Sequence, residues 1–356
     1  MIIRRSLIRA AVLCTLPLLA PLAYGEEFKP VAAPPVPVTA VKAAKAPILE
    51  ARGDDAVWKQ AAAVSLEAIK GVNFKDNLGT THATVQAAYD SSNIYFLVTW
   101  EDPTLSVRRA PYVKQADGTW LKLADPGDKG GDNTKYYEDK FAMMWNINNS
   151  ILGFNEKFGC QAACHAGEPG KPYGNKYTEE EGEIGDLWHM KYVRGAFLGQ
   201  MDDQWVDNTR FNAAAAPEAG RKSDPDTGGG YKDVKLVDGK PEFMSRDAKA
   251  ANKGGAYWIR AEDKVPFDDS RFVPGDEVAS IVVAPFTGDR GDIKVSAAWK
   301  DGRWVAAVAR KLVTGSKYDV QFDDLSKTYG FGMSFFDNAQ VRHAFVPAPL
   351  ILSFEK

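Results

Sequence analysis

The distribution of hydrophobic residues along the chain predicts a protein built mainly from β-strands. The apolar runs are short, rich in β-branched and aromatic residues, and bounded by Gly, Asp and Asn, a pattern typical of strands. Residues 83–89 and 94–100 flank a polar turn, and residues 293–299 and 304–308 flank a turn with Asp-Gly at its centre. Both pairs therefore predict antiparallel hairpins. Further strands are predicted at residues 141–147, 279–284, 330–336 and 350–354.

Few segments have the periodicity of a long amphipathic helix, so the predicted fold class is mainly β, an antiparallel β-sandwich. This domain is expected to span residues 51–356. Within it, residues 148–275 are rich in Gly, Pro, Asp and Lys and lack a regular pattern, which predicts a long irregular insertion. Residues 26–50, rich in Pro and Ala, are predicted to form an extended linker.

Residues 1–25 have the layout of a signal peptide. Three arginines precede an apolar run over residues 10–22, and small residues at positions 23 and 25 suit cleavage before Glu26. The run is short for a membrane-spanning helix, and no later segment is long and apolar enough to be one. The sequence therefore predicts export to the periplasm, with no membrane span after cleavage.

Removal of the leader changes the charge balance only slightly. Lys and Arg fall from 44 to 41 against 47 acidic residues, so the formal net charge goes from −3 to −6. Nucleic-acid binding needs a basic face, so this mildly acidic composition argues against a nucleic-acid partner.

The stretch Cys160-Gln161-Ala162-Ala163-Cys164-His165 carries the most specific chemistry. Two cysteines followed at once by a histidine are the signature of c-type haem attachment. Three residues separate the cysteines here, one more than in the commonest form. The sequence predicts one covalent haem c, with thioether bonds to Cys160 and Cys164 and with His165 as the proximal iron ligand.

Two other interpretations of this stretch remain open from the sequence. The mature chain would contain only Cys160 and Cys164, because Cys14 leaves with the leader, and an even count suits one disulfide. A disulfide, however, does not require the histidine that follows. Zinc is the weakest interpretation, since a structural site needs four ligands and only three other histidines exist.

Several segments, in this order and spacing, resemble the haem-binding domain of the ethylbenzene dehydrogenase gamma-subunit family. They are residues 54–58 (DDAVW), 88–89 (AY), 94–98 (IYFLV), 100–104 (WEDPT), 138–141 (EDKF), 144–145 (MW), 186–189 (DLWH) and 304–312 (WVAAVARKL). The resemblance spans nearly the whole mature chain. It implies a β-sandwich similar to carbohydrate-binding modules, and a cytochrome subunit that serves a periplasmic molybdenum enzyme.

The gamma subunits hold a non-covalent b-type haem between a methionine and a lysine, and this sequence departs from that pattern. The loop where the methionine would fall carries Cys160 to His165, and the lysine would fall where this chain has Arg342-His343. The comparison implies a covalent haem with His165 as one axial ligand and His343 as the other.

Other residues are candidates for the sixth iron ligand and for the haem surroundings. His189, close after the motif, is the second candidate for the ligand, followed by His82 and Met333; an open sixth site is a further alternative. Lys191 and Arg194 are candidates for contacts with the anionic haem propionates. Tyr173, Tyr177 and Trp188 are candidates for the haem walls.

The sequence thus predicts a periplasmic monohaem c-type cytochrome that exchanges electrons with a partner protein, such as a molybdoenzyme or another cytochrome. No catalytic triad, phosphate loop or paired acid and base stands out, which favours electron transfer over catalysis by this chain. The alternatives are a haem enzyme or sensor with an open axial site, and a non-haem ligand-binding β-sandwich with a Cys160–Cys164 disulfide.

Overall fold

The computed structural model describes residues 29–75, 79–128, 131–165 and 167–356, so the predicted leader lies outside the described residues. The strands, in chain order, are β1 (Val36–Lys42), β2 (Val64–Ala68), β3 (Thr81–Tyr89), β4 (Asn93–Glu101), β5 (Tyr112–Lys114), β6 (Trp120–Lys122), β7 (Lys140–Asn146), β8 (Cys164–His165), β9 (Asn175–Lys176), β10 (Gly185–Lys191), β11 (Asp202–Val206), β12 (Arg221–Ser223), β13 (Asp226–Asp233), β14 (Leu236–Val237), β15 (Lys240–Pro241), β16 (Phe243–Ser245), β17 (Ile259–Arg260), β18 (Lys264–Pro266), β19 (Glu277–Val278), β20 (Ile281–Gly288), β21 (Lys294–Lys300), β22 (Arg303–Lys311), β23 (Tyr329–Phe336), β24 (Ala344–Phe345) and β25 (Leu350–Phe354).

Helical structure is confined to single turns in the described part of the chain. The 3-10 turns are Ala56–Lys59, Ile147–Asn149, Gly159–Ala163, Ala196–Leu198, Ala251–Lys253, Ala261–Asp263, Asp269–Arg271 and Asp289–Gly291, and Phe154–Phe158 forms a π-helical turn. None of the helices described is long and apolar enough to cross a lipid bilayer.

One large sheet dominates the fold. Its strands follow the order β12-β11-β10-β7-β23-β25-β1-β3-β4-β22-β21, with β2 added beside β3 and β24 beside β23. The pairs β1–β25 and β1–β3 are parallel, and the other pairs in this sheet are antiparallel. Both predicted hairpins are confirmed, as β3–β4 and as β21–β22.

The large sheet folds back on itself into two packed layers. One layer consists of β12, β11, β10, β7, β23 and β25, and the other consists of β1, β3, β4, β22 and β21. Phe96 of β4 lies with its ring centroid 5.7 Å from that of Trp145 on β7, so side chains of the two layers interlock between them. At the outer edges, a bridge between Gln200 and Lys294 brings the first and last parts of the sheet together. The predicted fold class, a mainly β antiparallel sandwich, is confirmed.

Alternation along the strands separates the sandwich core from an outer surface. The core side chains of three neighbouring strands are Phe141, Met143 and Trp145 of β7, Trp188 and Met190 of β10, and Phe331, Met333 and Phe335 of β23. Because successive strand residues point to opposite faces, the residues between them, such as Ala142, Leu187 and Gly332, face outward. This outward face forms the floor of the site described below.

The predictions for two segments of the chain need correction. Residues 26–50 are not only a linker, because Val36–Lys42 within them forms β1 in the middle of the large sheet. Residues 148–275 are not wholly irregular, because β10, β11 and β12 extend the large sheet beyond β7. The same segment contributes strands to two smaller sheets, β13-β20-β17 and β16-β18, which surround a second small core that includes Trp120 and Phe272.

Candidate functional site

A cavity of about 820 Å³ lies on the outward face of β7, β10 and β23, within the size range of small-molecule and cofactor sites. Segments around residues 160–176 and 340–345 form its walls. The cavity is lined by the two predicted attachment cysteines, Cys160 and Cys164, by the predicted proximal ligand His165, and by the first two candidates for the sixth ligand, His343 and His189. Residues far apart in sequence therefore meet in one cavity.

The cysteine motif reaches this floor through a tight local structure. Gly159 has a φ of +53° and turns the chain from the π-helical turn into the 3-10 turn Gly159–Ala163. Cys160 then packs directly onto Gly332 of β23. A Cβ atom at position 332 would lie 2.5 Å from the backbone nitrogen of Cys160 and 3.0 Å from its Sγ. Glycine at this position is what allows the motif to touch the sheet.

Substituting Gly332 with Ala is therefore expected to push the motif away from the sheet. The overlap involves backbone atoms, which cannot rotate away, and overpacking of this kind costs about 1–3 kcal/mol. Thermal unfolding should show this loss of stability. Gly127→Ala is the matched control, because a Cβ there would meet its nearest neighbour at 3.4 Å. Equal melting temperatures for the two variants would contradict the close approach.

Gln161 fixes the motif from the other side. Its side chain accepts a hydrogen bond from the Val31 nitrogen at 2.8 Å, and its Nε2 donates to the backbone oxygens of Val31, Phe158 and Pro347. The side chain is almost fully buried. Gln161, the first of the three residues between the cysteines, thus ties the motif to the chain before β1 and to the segment before β25.

The two thiols have different surroundings. Burial, together with the neighbouring Cys164, raises the pKa of Cys160 to about 12, so its thiol is protonated at neutral pH. The Sγ of Cys164 lies 3.2 Å from the Nζ of Lys176 and 3.4 Å from the backbone oxygen of Cys160. Both cysteines are free thiols in the structure, and they do not form the disulfide of the alternative interpretation.

His165 follows directly in β8, which pairs with β9. Its ring stacks on that of Tyr177 at a centroid distance of 3.5 Å, and its Nε2 lies 2.8 Å from the Tyr177 backbone oxygen. The Nδ1 lies 3.5 Å from a carboxylate oxygen of Glu179. Burial lowers the pKa of His165, which favours the neutral imidazole that metals bind.

His343 and His189 share the arrangement that is typical of metal-binding histidines, in which one ring nitrogen is held by a hydrogen-bond acceptor. Nδ1 of His343 lies 2.7 Å from the Val341 backbone oxygen, and Nδ1 of His189 lies 3.2 Å from Oε1 of Gln204. Burial lowers the pKa of His343 to about 3 and holds that of His189 well below its usual range. Both imidazoles are therefore neutral.

The Nε2 atom of His189 is also an orphan. It is inaccessible to solvent and has no hydrogen-bond partner among the described residues. A buried polar atom without a partner is uncommon and costly, and a cavity ligand that binds it would remove that cost. Phe336 lies between the two histidines, with ring centroids 5.6 Å from His189 and 4.7 Å from His343.

Two of the weaker candidates for the iron ligand do not reach the cavity. Met333 points into the sandwich core, on the opposite face of β23. His82 lies on β3 in the other layer, where its half-exposed ring is near Glu67 and Glu101. Of the candidate aromatic walls, Tyr173 lines the cavity, whereas Trp188 is in the core.

Lys191 and Arg194 line the cavity but are already paired. Nζ of Lys191 lies 2.5 Å from Oδ2 of Asp202, and Nε of Arg194 lies 2.5 Å from Oε1 of Glu138. All four side chains are buried. These two cations therefore form ion pairs in the cavity wall, and their contact with haem propionates stays a prediction.

Positive charge nevertheless dominates the lining, with a single acidic residue, Glu218, among the described residues that form it. The cationic side chains are Lys70, Arg109, Lys140, Lys171, Lys176, Lys191, Arg194, Arg221 and Arg342. Within the described chain, neither Lys140 nor Lys176 forms an ion pair with a carboxylate. The cavity is thus suited to an anionic ligand.

Lys140 is the functional candidate that sequence reasoning missed. It is fully buried, donates to the Gln340 backbone oxygen at 2.9 Å, and lies 4.0 Å from the centroid of the Phe336 ring. Burial and the nearby Arg194 charge hold the pKa of Lys140 well below its usual value. The sequence could have indicated this role through the alternation of strand residues. Lys140 directly precedes the core residue Phe141, so its side chain points away from the core.

Comparison with known proteins identifies the relatives of the chain. A family model described as "Ethylbenzene dehydrogenase" matches residues 55–345. The chain belongs to the ethylbenzene dehydrogenase family. The matched range includes both cysteines and every histidine that lines the cavity. Subunits of molybdoenzyme complexes belong to this family.

Solved structures similar to this family member include a family 9 carbohydrate-binding module from Caldicellulosiruptor kristjanssonii. Its complex with cellotriose has 8% identity and a TM-score of 0.35, and the match covers 90% of this chain and 95% of that one. Its complex with glucose has 9% identity and a TM-score of 0.34, covering 90% and 96%. No curated protein matches the sequence significantly.

Proposed function

We propose that this protein is a periplasmic monohaem c-type cytochrome that transfers electrons to or from a partner oxidoreductase. The observation that carries the proposal is the convergence of Cys160, Cys164 and His165 with two further neutral histidines in one cationic cavity. The haem iron, when bound, supplies the chemistry by cycling between its ferrous and ferric states. The chain itself attaches, orients and encloses the group.

The residues present fit a haem in three respects. The thiols of Cys160 and Cys164 are free and border the cavity, as thioether formation requires. Orphaned Nε2 of His189 offers a lone pair to a metal. The cationic lining suits propionates, and Lys140 is the buried cation there that lacks a carboxylate partner within the described residues.

We assign the proximal position to His165, because it directly follows the attachment residue Cys164 in the sequence. His343 is our first choice for the distal ligand, and its Nδ1 contact with a backbone oxygen leaves Nε2 for the iron. His189 is the alternative. With both axial positions filled, the iron would exchange electrons without transforming a substrate.

Membership of the ethylbenzene dehydrogenase family supports a molybdoenzyme as the partner, and another cytochrome would suit the same chemistry. The leader predicted at residues 1–25 supports export to the periplasm, where such a partner would meet the haem.

The test is a pyridine haemochrome spectrum, with haem staining on a denaturing gel, of protein exported in a host with c-type maturation machinery. We expect one haem per chain that stays attached after denaturation and gives a c-type band. Haem lost on denaturation would contradict covalent attachment. A colourless protein would overturn the proposal and favour a ligand-binding module. Carbon monoxide binding by the ferrous protein would instead indicate an open axial site.

Substituting Lys140 with Met is expected to lower the reduction potential of the haem by tens of millivolts. An anionic propionate beside Lys140 would offset its lowered pKa and keep the lysine charged. A nearby positive charge disfavours the ferric state, which carries the additional charge, and its removal from a buried site is worth about 1 kcal/mol or more. Redox titration measures the shift. Lys300→Met, at a lysine whose side chain is 87% exposed, is the control. An unchanged potential in Lys140→Met would place this lysine outside the haem environment.

A further inference from the structure

Away from the haem cavity, three aspartates form an acidic cluster inside the protein: Asp203 on β11, Asp224 just after β12, and Asp319 in the segment between β22 and β23. One carboxylate oxygen from each lies within 4.8 Å of one from each of the others. All three side chains are 2% exposed or less. The cluster therefore concentrates negative charge where water cannot screen it.

The cluster has too few neighbouring positive charges to balance its carboxylates. Asp186 on β10 adjoins it, and Arg310 is the cation that forms ion pairs there among the described residues, at 2.9 Å to Asp186 and 3.8 Å to Asp319. Asp292 adjoins them as well, so five carboxylates face one guanidinium. Burial and the neighbouring carboxylates raise the pKa of Asp224 to about 9 and that of Asp203 well above its usual value. Buried carboxylates left in this state are costly.

Several carboxylate oxygens of the three aspartates lack a binding partner among the described residues. Both carboxylate oxygens of Asp224, Oδ2 of Asp203 and Oδ1 of Asp319 are inaccessible to solvent and have no hydrogen-bond donor among the described residues. Oδ1 of Asp186, which lies outside the three-aspartate group, is unpartnered as well. The remaining oxygens are held in place: Oδ1 of Asp203 accepts from the Gln204 nitrogen, and Oδ2 of Asp319 accepts from Thr314.

We propose that Asp203, Asp224 and Asp319 bind a calcium ion. Calcium takes oxygen ligands at about 2.3–2.6 Å, so two oxygens bound to one ion lie no more than about 5 Å apart, as the three carboxylates do here. Several carboxylates with unused lone pairs are the donor set that this cation prefers over softer metals. Asp186, oriented by Trp188 and Arg310, supplies further negative charge beside the ion.

The position of the site gives the ion a structural role. Asp203 lies on β11, Asp224 directly follows the edge strand β12, and Asp319 belongs to the connection that leads into β23. The ion would tie this edge of the sheet to that connection. Arg221 on β12 and Tyr231 beyond it line the haem cavity, so calcium would also fix the strands that wall the cavity. This site does not depend on whether the cavity holds haem.

The experiment compares calcium binding and thermal unfolding of the exported full-length protein after treatment with a chelator. Isothermal titration with calcium chloride should show binding with a Kd of about 10⁻³ M or tighter. Calcium at 100 times Kd should raise the melting temperature by about 4 °C. Asp224→Asn should lower the number of bound calcium ions by one and reduce the calcium-dependent rise in melting temperature.

Asp301→Asn, at a turn aspartate whose side chain is 87% exposed, is the matched control and should bind calcium as the unaltered protein does. If Asp224→Asn does not fold, Asp319→Asn provides the same comparison. Should the carboxyls instead share protons, calcium would not bind to the cluster, and Asp224→Asn would raise the melting temperature by relieving repulsion. That result, or a calcium stoichiometry unaffected by both variants, would overturn the proposal.

Discussion

Replacing Cys160 and Cys164 together with serine is expected to abolish haem staining on a denaturing gel. Both thiols line the cavity, and serine hydroxyls cannot form thioether bonds. The change is nearly isosteric, so the fold should survive. The cationic cavity and its three histidines would remain, and native protein is expected to retain a fraction of haem that behaves as a b-type group in the haemochrome spectrum.

The single variants Cys160→Ser and Cys164→Ser are the matched controls, because each leaves one thiol for attachment and should keep part of the stain. Their circular dichroism should equal that of the unaltered chain. Staining that persists in the double variant would refute attachment through these cysteines. If the unaltered chain carries no haem and the double variant loses only thermal stability, a disulfide would be the better explanation of the pair.

Strands with one polar face and tight turns were predictable from local sequence alone. The β3–β4 and β21–β22 hairpins combine alternating apolar residues with polar turns, and both signals lie within about twenty residues of chain. Strand β7 was predicted one residue late, because Lys140 looks like a boundary although it is fully buried in the strand. Its burial depends on a cavity that local sequence does not reveal.

Strand β1 was missed because its pairing is entirely long-range. It holds Pro37, and proline usually avoids central strands. Here Pro37 lies in the half of β1 that pairs only with β25, whereas β3 pairs with residues Ala40–Lys42. The missing N–H therefore costs no ladder hydrogen bond on the β3 side. A central position for this segment could be deduced only from the register of both neighbours.

Strand β10 was missed for a different reason. Both of its faces are buried: Trp188 and Met190 point into the core, while His189 and Lys191 point into the cavity. Polar residues buried against a cavity remove the alternation that identifies a strand with one exposed face. The same feature concealed the ion pair of Lys191, whose partner Asp202 lies on the neighbouring strand β11.

The motif residues could be singled out from the sequence because they are contiguous, and their pattern resembles a haem-attachment signature. Which histidine completes the site was not, since it depends on which side chains the tertiary structure brings together. The structure removes Met333 and His82 from consideration and leaves His343 and His189 in the cavity. Discriminating between them requires a change at each.

Substituting His343 with Ala is expected to leave the haem covalently attached but convert the iron from low-spin to high-spin. Alanine has no ligand atom, and it would leave space beside Phe336, whose ring centroid lies 4.7 Å from that of His343. Water or carbon monoxide could then bind the open position, and the reduction potential should change by on the order of 100 mV, since axial ligation is a main determinant of haem potential. Optical and electron paramagnetic resonance spectra measure the spin state.

His189→Ala is the matched control, because His189 lines the same cavity and has the same kind of Nδ1 contact. If His343 is the ligand, His189→Ala should remain low-spin and bind no carbon monoxide. The reverse pattern, a low-spin His343→Ala and a high-spin His189→Ala, would transfer the assignment to His189 and explain its orphaned Nε2. Low-spin iron in both variants would mean that neither histidine is required, and carbon monoxide binding by the unaltered protein would mean that the site is open, as a haem enzyme or sensor requires.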